Sequence, residues 1–177
     1  MKKIAALIIT TLFLINIVAA QTKITRALIS FQIKNLGINT TGTIGTMQAN
    51  IQFDPANLNT STIEGSADVK SINTDNDTRD EHLRSDEFFD VARFPKLVMK
   101  SVSFKHKSGN NYVGQFNVTM KDKTKAFDVP FSYVVNGNTG TFKGSFKLNR
   151  MDFGVGSSSL VLSNDVTVTI EIDTAKP

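Results

Sequence analysis

The stretch FDVPFSYVV, residues 127–135, indicates the fold class because its apolar side chains recur at every second position. Successive side chains of a strand point to opposite faces, so a period of two places one face in a core and the other in water. A helix would repeat its apolar residues every three or four positions instead. We therefore predict a half-buried β-strand whose inner face carries Phe127, Val129, Phe131, Tyr133 and Val135.

The same alternation recurs along most of the chain and predicts an all-β domain. Turn-forming sequences such as DPANLN, KSGNN and VNGNTG separate the alternating segments. Because most connections have hairpin length, we predict an antiparallel, up-and-down sheet of eight strands. Such a sheet would close into a barrel, which removes exposed edges, and a sandwich of two sheets is the alternative. The strands are expected near residues 26–35, 43–54, 60–72, 95–106, 111–120, 125–136, 140–149 and 164–174.

A charged segment, RDEHLRSDEFFD at residues 79–90, breaks this pattern and ends on two phenylalanines. Asp77 or Thr78 can cap a short helix whose first turn is acidic, as the helix dipole favours. Ser85 can begin a second short turn. We therefore predict a short helical insertion near residues 76–90.

The longest connections are predicted to meet at one end of the barrel. In an up-and-down sheet, alternate connections lie at the same end, and loops on a rigid frame commonly carry function. The connections at the opposite end are ordinary polar turns. The functional rim should therefore be formed by residues 34–42, 73–94, 121–125 and 149–159.

Residues 1–20 have the organisation of a secretory signal peptide, with two lysines, an apolar run and Val-Ala-Ala before Gln21. Cleavage there would leave residues 21–177, a length that suits one domain with a sizeable core. An uncleaved membrane anchor is the alternative, although the apolar run is short for a span. We expect a soluble protein that is periplasmic or secreted.

The composition excludes several classes of function. The chain has no cysteine, so disulfides, thiolate catalysis and cysteine-bound metals are absent. Removing Lys2 and Lys3 with the signal peptide lowers the formal charge from +4 to +2. A nearly neutral domain gives no support for nucleic-acid binding.

Five segments, in this order, resemble the YceI-like family across nearly the whole mature chain. The resemblance implies a lipocalin-like barrel, usually periplasmic or secreted, that binds an amphiphile such as a polyisoprenoid in its lumen. It implies no enzymatic activity for the family as a whole. The matching segments are FQIKNLGI, IQFDPANL, DVKSINTDNDTRDEHLRSDEFFDVARFPKLVMKS, NVTMKDKTKAFDVPF and NRMDFGVG.

Inward-facing apolar residues are the candidates for binding a ligand in the lumen. An eight-stranded barrel can be filled by side chains or can hold one small ligand, and alternation alone does not decide between these. Small inward residues such as Ala49, Gly65 and Gly144 favour a cavity. The candidate lumen residues are Phe31, Ile33, Phe53, Ala67, Val69, Phe88, Phe89, Phe131 and Phe146.

The predicted rim also carries candidates for contact with a polar head group, namely Arg79, His82, Arg84 and Arg150. Guanidinium groups bind phosphates and carboxylates well. Many acidic residues share the rim, so a mutually neutralising network that ties the insertion to its neighbours is the alternative. His82 lacks the neighbouring ligands that a zinc site needs, so no metal site and no cofactor is predicted.

These observations favour an exported lipid-binding protein that carries or stores a long-chain amphiphile, with a homodimer as one option for its assembly. Two alternatives remain at this point. One is a secreted structural or stress-related barrel with a packed core and no ligand. The other is an enzyme on a lipocalin-like frame.

Overall fold

A computed structural model describes residues 22–175, so the predicted signal peptide lies outside the described residues. The described chain forms one antiparallel sheet of ten strands, one α-helix and three short 3-10 turns. The strands are β1 (Lys23–Asn35), β2 (Ile38–Ile44), β3 (Met47–Gln52), β4 (Thr62–Asp68), β5 (Ile72–Asn73), β6 (Lys96–Ser108), β7 (Asn111–Met120), β8 (Lys123–Asn136), β9 (Thr139–Asn149) and β10 (Leu162–Ala175), and the helix is α1 (Asp77–Arg84).

The sheet is an up-and-down meander that curls into a barrel. Its strand order is β3-β4-β6-β7-β8-β9-β10-β1-β2-β5, so the last long strand, β10, pairs with the first. Thr43 and Ile44 of β2 pair with β1 on one side and with β5 on the other. Within residues 22–175, β3 pairs only with β4, so the barrel is hydrogen-bonded across β2 but not between β3 and the first half of β1.

The all-β barrel is as predicted, but it has ten strands where eight were expected. Two of the predicted strands are each interrupted once. Gly45 and Thr46 separate β2 from β3, and a 3-10 turn at Val69–Ser71 separates β4 from β5. These bends let one continuous segment turn from one wall of the barrel to the next.

A tight hairpin replaces the long connection that was predicted at residues 34–42. Asn35 pairs with Ile38, so only Leu36 and Gly37 form the turn. Both have positive φ, 51° and 77°, as a type I′ two-residue hairpin turn requires. β2 consequently begins five residues earlier than predicted, at Ile38 rather than residue 43.

One end of the barrel is closed by an aromatic floor centred on Phe53. Its ring makes edge-on contacts with five other rings, at centroid distances between 5.2 and 5.6 Å. Edge-to-face pairs contribute about 0.5–1.5 kcal/mol each beyond the area they bury. The floor therefore seals this end; its other rings are Phe104, Tyr112, Phe131, Tyr133 and Phe142.

The predicted rim forms at the opposite end, and hydrogen bonds join its loops. Lys121 Nζ donates to the carbonyls of Phe88 and Gly154, at 3.0 and 3.1 Å. The Gly156 amide donates to the Glu87 carbonyl. On the far side, the Leu36 amide donates to the Val161 carbonyl at 2.8 Å. The four connections therefore meet at one end of the barrel, as predicted from the alternation of connections in an up-and-down sheet.

Two features of the rim follow directly from its sequence. α1 is capped by Asn76, whose side chain accepts from the Arg79 amide, so the cap lies one residue before the predicted Asp77. Gly154 and Gly156 have φ of 67° and 72°, a conformation that glycine adopts without steric cost.

In the described range, no helix is both long enough and apolar enough to span a bilayer.

Candidate functional site

A cavity of about 370 Å³ occupies the barrel between the aromatic floor and the rim. This volume lies within the range of small-molecule sites, so the lumen is a cavity and not a packed core. Side chains from all ten strands and from α1 contribute to its wall. Most of these side chains are aliphatic or aromatic, as expected of a site for an apolar ligand.

Period-two positions on neighbouring strands supply most of the wall. β10 contributes four successive inward residues, and β1 also contributes four, the last of which is Asn35. Most of these aliphatic residues were not among the predicted lumen residues, most of which are phenylalanines. The alternation itself would have identified them; they include Ile29, Ile44, Ile51, Ile63, Leu97, Val166, Val168 and Ile170.

Seven of the nine predicted lumen residues line the cavity, and two do not. Those that line it are Phe31, Ile33, Ala67, Phe88, Phe89, Phe131 and Phe146. Phe53 faces inward but lies in the floor, below the space that a ligand could fill. Val69 is wholly buried within the 3-10 turn after β4, where the alternation ends, so its side chain leaves the lumen wall.

Arg79 is held at the mouth of the cavity by Thr74. Its Nε donates to Thr74 Oγ1 at 2.7 Å, and its Nη2 donates to the Thr74 carbonyl at 2.6 Å. Asp80 is buried and accepts from the amide and the hydroxyl of the same threonine. Because both Arg79 and Thr74 border the cavity, this network fixes a cation beside its entrance.

His82 also borders the cavity while its side chain is 56% exposed, which shows that the cavity communicates with solvent here. Its Nε2 lies 2.6 Å from Glu87 Oε2. The ring packs edge-on against Phe88, with centroids 4.9 Å apart. These two contacts, with Glu87 and with Phe88, therefore hold the His82 ring at the mouth of the cavity.

Arg84 and Arg150 were predicted to contact the head group, but both form hydrogen bonds within the protein instead. Arg84 lies outside the cavity, where Nε donates to the Lys70 carbonyl and Nη2 to the Ile72 carbonyl. It pins α1 to the turn between β4 and β5. The sequence indicated a charged side chain at the rim but not the carbonyls within its reach.

Arg150 touches the cavity wall but is only 3% exposed, and its guanidinium donates inside its own loop. The acceptors are the carbonyls of Ser163, Val155 and Ser157 and the side chains of Asn164 and Met151. Burial lowers the pKa of Arg150 below its ordinary value. Arg150 therefore organises the loop between β9 and β10 rather than presenting a cation to a head group.

The rim cations bind backbone carbonyls more than carboxylates, so the expected charge network takes a different form. Arg84, Lys121 and Arg150 all donate to carbonyls. Among the described residues, the carboxylates of the rim that contact a basic side chain are Glu87, beside His82, and Asp90, beside Arg93. No group of three or more His, Asp or Glu residues in residues 22–175 is arranged to hold a metal ion.

The family model of the YceI-like domain matches residues 16–174, which is most of the chain. The chain belongs to the YceI-like family. This YceI-like chain is 28% identical over 167 residues to protein YceI of Salmonella arizonae, covering 88% of the chain and 87% of the relative. It is 26% identical over 150 residues to a UPF0312 protein of Vibrio cholerae, covering 79% of each.

Solved structures share the YceI-like fold. BcnA of Burkholderia cenocepacia superposes with a TM-score of 0.80 at 23% identity, covering 83% of this chain and 95% of that one. A polyisoprenoid-binding domain from Saccharophagus degradans superposes with a TM-score of 0.70 at 13% identity, covering 89% of this chain and 98% of that domain. At such identities these structures establish the fold.

Proposed function

We propose that this protein binds a long-chain amphiphile, of the polyisoprenoid class, in the barrel lumen and serves as its carrier or store. The observation that carries this proposal is the apolar cavity between a sealed floor and an open, polar rim. Burying an alkyl or isoprenoid chain contributes roughly 0.8 kcal/mol per methylene, less the cost of ordering the chain. Tight binding would thus need few polar contacts.

The geometry favours one orientation of the ligand. The aromatic floor blocks the far end, so the apolar chain would enter from the rim and extend toward Phe131. The head group would remain beside Arg79 and His82, which border the cavity at its mouth. Thr40 and Asn35 border the cavity as well and can offer uncharged hydrogen bonds.

The structural relative from Saccharophagus degradans supports the class of ligand that we propose. That domain is described as polyisoprenoid-binding, and its fold extends over 89% of this chain. The identity of 13% is too low to transfer individual contacts. The proposed ligand class therefore rests on the cavity of this chain together with the shared fold.

We also propose that the protein is exported and acts outside the cytoplasm, after cleavage that leaves Gln21 as the first residue. The support is the pattern of residues 1–20, with its basic start, apolar run and small residues before the cut. An uncleaved anchor would instead tether the barrel to a membrane.

Native mass spectrometry of protein purified from an expressing cell tests both proposals. We expect a mass that begins at Gln21, together with an adduct that organic solvent extracts as a long-chain lipid. A lipid-free protein that also takes up no isoprenoid alcohol when offered one would contradict the binding proposal. An intact Met1 on a membrane-bound product would contradict the export proposal.

A further inference from the structure

Four large apolar side chains are exposed together on one side of the cavity mouth, and we name them the mouth patch: Leu36, Ile38, Leu160 and Val161. Leu36 and Ile38 are each 71% exposed, and Leu160 is fully exposed. Single exposed apolar residues are common, but contiguous ones mark interaction sites. We therefore expect the mouth patch to contact another molecule or surface.

The backbone makes the mouth patch one continuous surface. The Leu36 amide donates to the Val161 carbonyl at 2.8 Å, which joins the β1–β2 hairpin to the loop before β10. Asn35 pairs with Ile38 on one side and with Leu162 on the other. Both Asn35 and Leu162 line the cavity, so the patch continues into the apolar lumen.

The charge distribution distinguishes the mouth patch from the helical insertion. Residues 35–41 and 153–164 contain no charged residue, and exposed Lys34 flanks the hairpin. The helical insertion exposes acidic side chains, among them Asp75, Asp77, Asp86 and Glu87, and it meets the loop of the patch where the Gly156 amide donates to the Glu87 carbonyl. An anionic surface would therefore attract Lys34 and repel the insertion, which favours contact through the patch.

We propose that the mouth patch inserts into the surface of a phospholipid bilayer, so that the proposed ligand moves between membrane and lumen without crossing water. This inference rests on the proposed lipid-binding function. The tips of a hairpin and of a loop can enter the headgroup region, where serine and asparagine side chains are readily accommodated, and uncharged residues meet no charge-desolvation cost.

The dimensions of the patch favour a bilayer over a second protein copy. Four side chains can bury on the order of a few hundred Å², whereas stable interfaces bury about 800 Å² on each partner. A hairpin tip and a fully exposed leucine also project from the surface rather than forming a flat face. Insertion into lipid needs only such projections.

The test uses the mature protein and vesicles of phosphatidylethanolamine and phosphatidylglycerol that carry a fluorescent isoprenoid alcohol. The variant is Leu36→Asp with Leu160→Asp; aspartate tolerates the positive φ of residue 36, so the hairpin should persist. The control is Val134→Asp with Val135→Asp, an exposed apolar pair at the opposite end of the barrel. Ligand delivered in solution measures lumen binding separately from membrane docking.

We expect the Leu36/Leu160 variant to bind solution-delivered ligand within about twofold of wild type, yet to sediment with vesicles and extract their ligand about tenfold less well. The Val134/Val135 control should behave as wild type. Equal sedimentation of wild type and the Leu36/Leu160 variant would overturn docking, and so would a wild-type dimer that this variant converts to monomer. Failure of wild type to bind ligand in solution would overturn the lumen function instead. The two outcomes can be distinguished because sedimentation with vesicles is also measured for ligand-free protein.

Discussion

Gly156 lies where the loop between β9 and β10 meets the helical insertion, and its φ is +72°. A Cβ at this position would lie 2.8 Å from Arg150 Nη1 and 2.8 Å from the Phe88 ring. The glycine thus lets the buried arginine, the loop and the phenylalanine of the mouth approach each other. Two separate requirements, backbone conformation and close packing, coincide in one residue.

Replacing Gly156 with alanine should destabilise the protein by about 2–4 kcal/mol, from a left-handed backbone cost of about 1–2 kcal/mol plus the cost of displacing Arg150 or Phe88. Gly137→Ala is the matched control, since its φ is +57° and its Cβ would meet nothing within 4 Å. Denaturant unfolding of both variants measures the difference. Equal losses in the two variants would show that the predicted crowding at Gly156 is absent.

The helical insertion is an element that its own residues could not stabilise alone. α1 has eight residues, which is too short to persist in water without tertiary contacts. Asp80 anchors it through the amide and hydroxyl of Thr74, and Arg84 anchors it through two carbonyls. These polar contacts therefore hold the insertion together with the apolar side chains of Leu83, Phe88 and Phe89, which pack against the core.

Asp80→Ala should release the insertion while leaving the sheet folded. The change leaves the Thr74 amide and hydroxyl without their acceptor in a buried site, at a cost of about 1.5–3 kcal/mol. Glu81→Ala, at an exposed position of the same helix, is the control. Hydrogen exchange should accelerate in residues 77–90 of the Asp80 variant only. Unchanged protection there would contradict the anchoring role.

A cross-strand ion pair links β9 and β10 on the outer wall. Lys143 Nζ lies 2.7 Å from Glu171 Oε1, and the two residues are direct partners in the strand register. The hydrogen bond from Lys143 lowers the pKa of Glu171 below its ordinary value. Because the folded-state pKa is the lower one, the pair stabilises the fold at neutral pH, and this contribution is lost as the pH falls through that pKa.

Lys143→Met should raise the pKa of Glu171 and reduce the loss of stability in acid. The free energy of unfolding at neutral pH should fall by less than about 1 kcal/mol, as is usual for exposed pairs. Lys147→Met, on the same strand opposite Thr167, is the control. Titration of the Glu171 carboxyl by NMR measures the shift. An unchanged midpoint in the Lys143 variant would show that the pair does not form in solution.

Sequence alternation predicts which face a strand residue occupies but not its height along the barrel axis. Phe53 and Phe131 were both correctly assigned to the inner face, yet one belongs wholly to the floor and the other also lines the cavity. Height depends on strand register and tilt, which arise only when the whole sheet pairs. The same limit applies to Arg150, because its carbonyl acceptors are brought together by a loop whose path depends on Gly154 and Gly156.

Hairpins whose turn residues are atypical were also beyond prediction. Leu36 adopts a positive φ, which is rare for a branched apolar residue, so the segment did not read as a two-residue turn. Gly45 marks a bend that splits a predicted strand, and a single glycine within an alternating run did not reveal it. The other six strands, the rim and the insertion depended on strong local patterns and were predicted.

At the scale of the whole molecule, the barrel has one sealed end and one functional end. The aromatic floor closes the lumen, and hydrogen bonds between loops assemble the rim. Ala67 lies between these ends, 3% exposed, and lines the cavity beside Ile44, Ile72 and Leu97. A larger side chain at Ala67 would therefore occupy the space that we assign to the ligand.

Uptake of an isoprenoid alcohol by Ala67→Trp tests whether the lumen holds the ligand, with Thr62→Trp, which is exposed on the same strand, as the control. Calorimetric or fluorescence titration should show binding by wild type and by Thr62→Trp, and its loss in Ala67→Trp. Because the cavity can accept the indole ring, Ala67→Trp should remain folded, whereas overpacking of a solid core would cost about 1–3 kcal/mol. Undiminished binding by a folded Ala67→Trp protein would contradict a ligand site in the lumen.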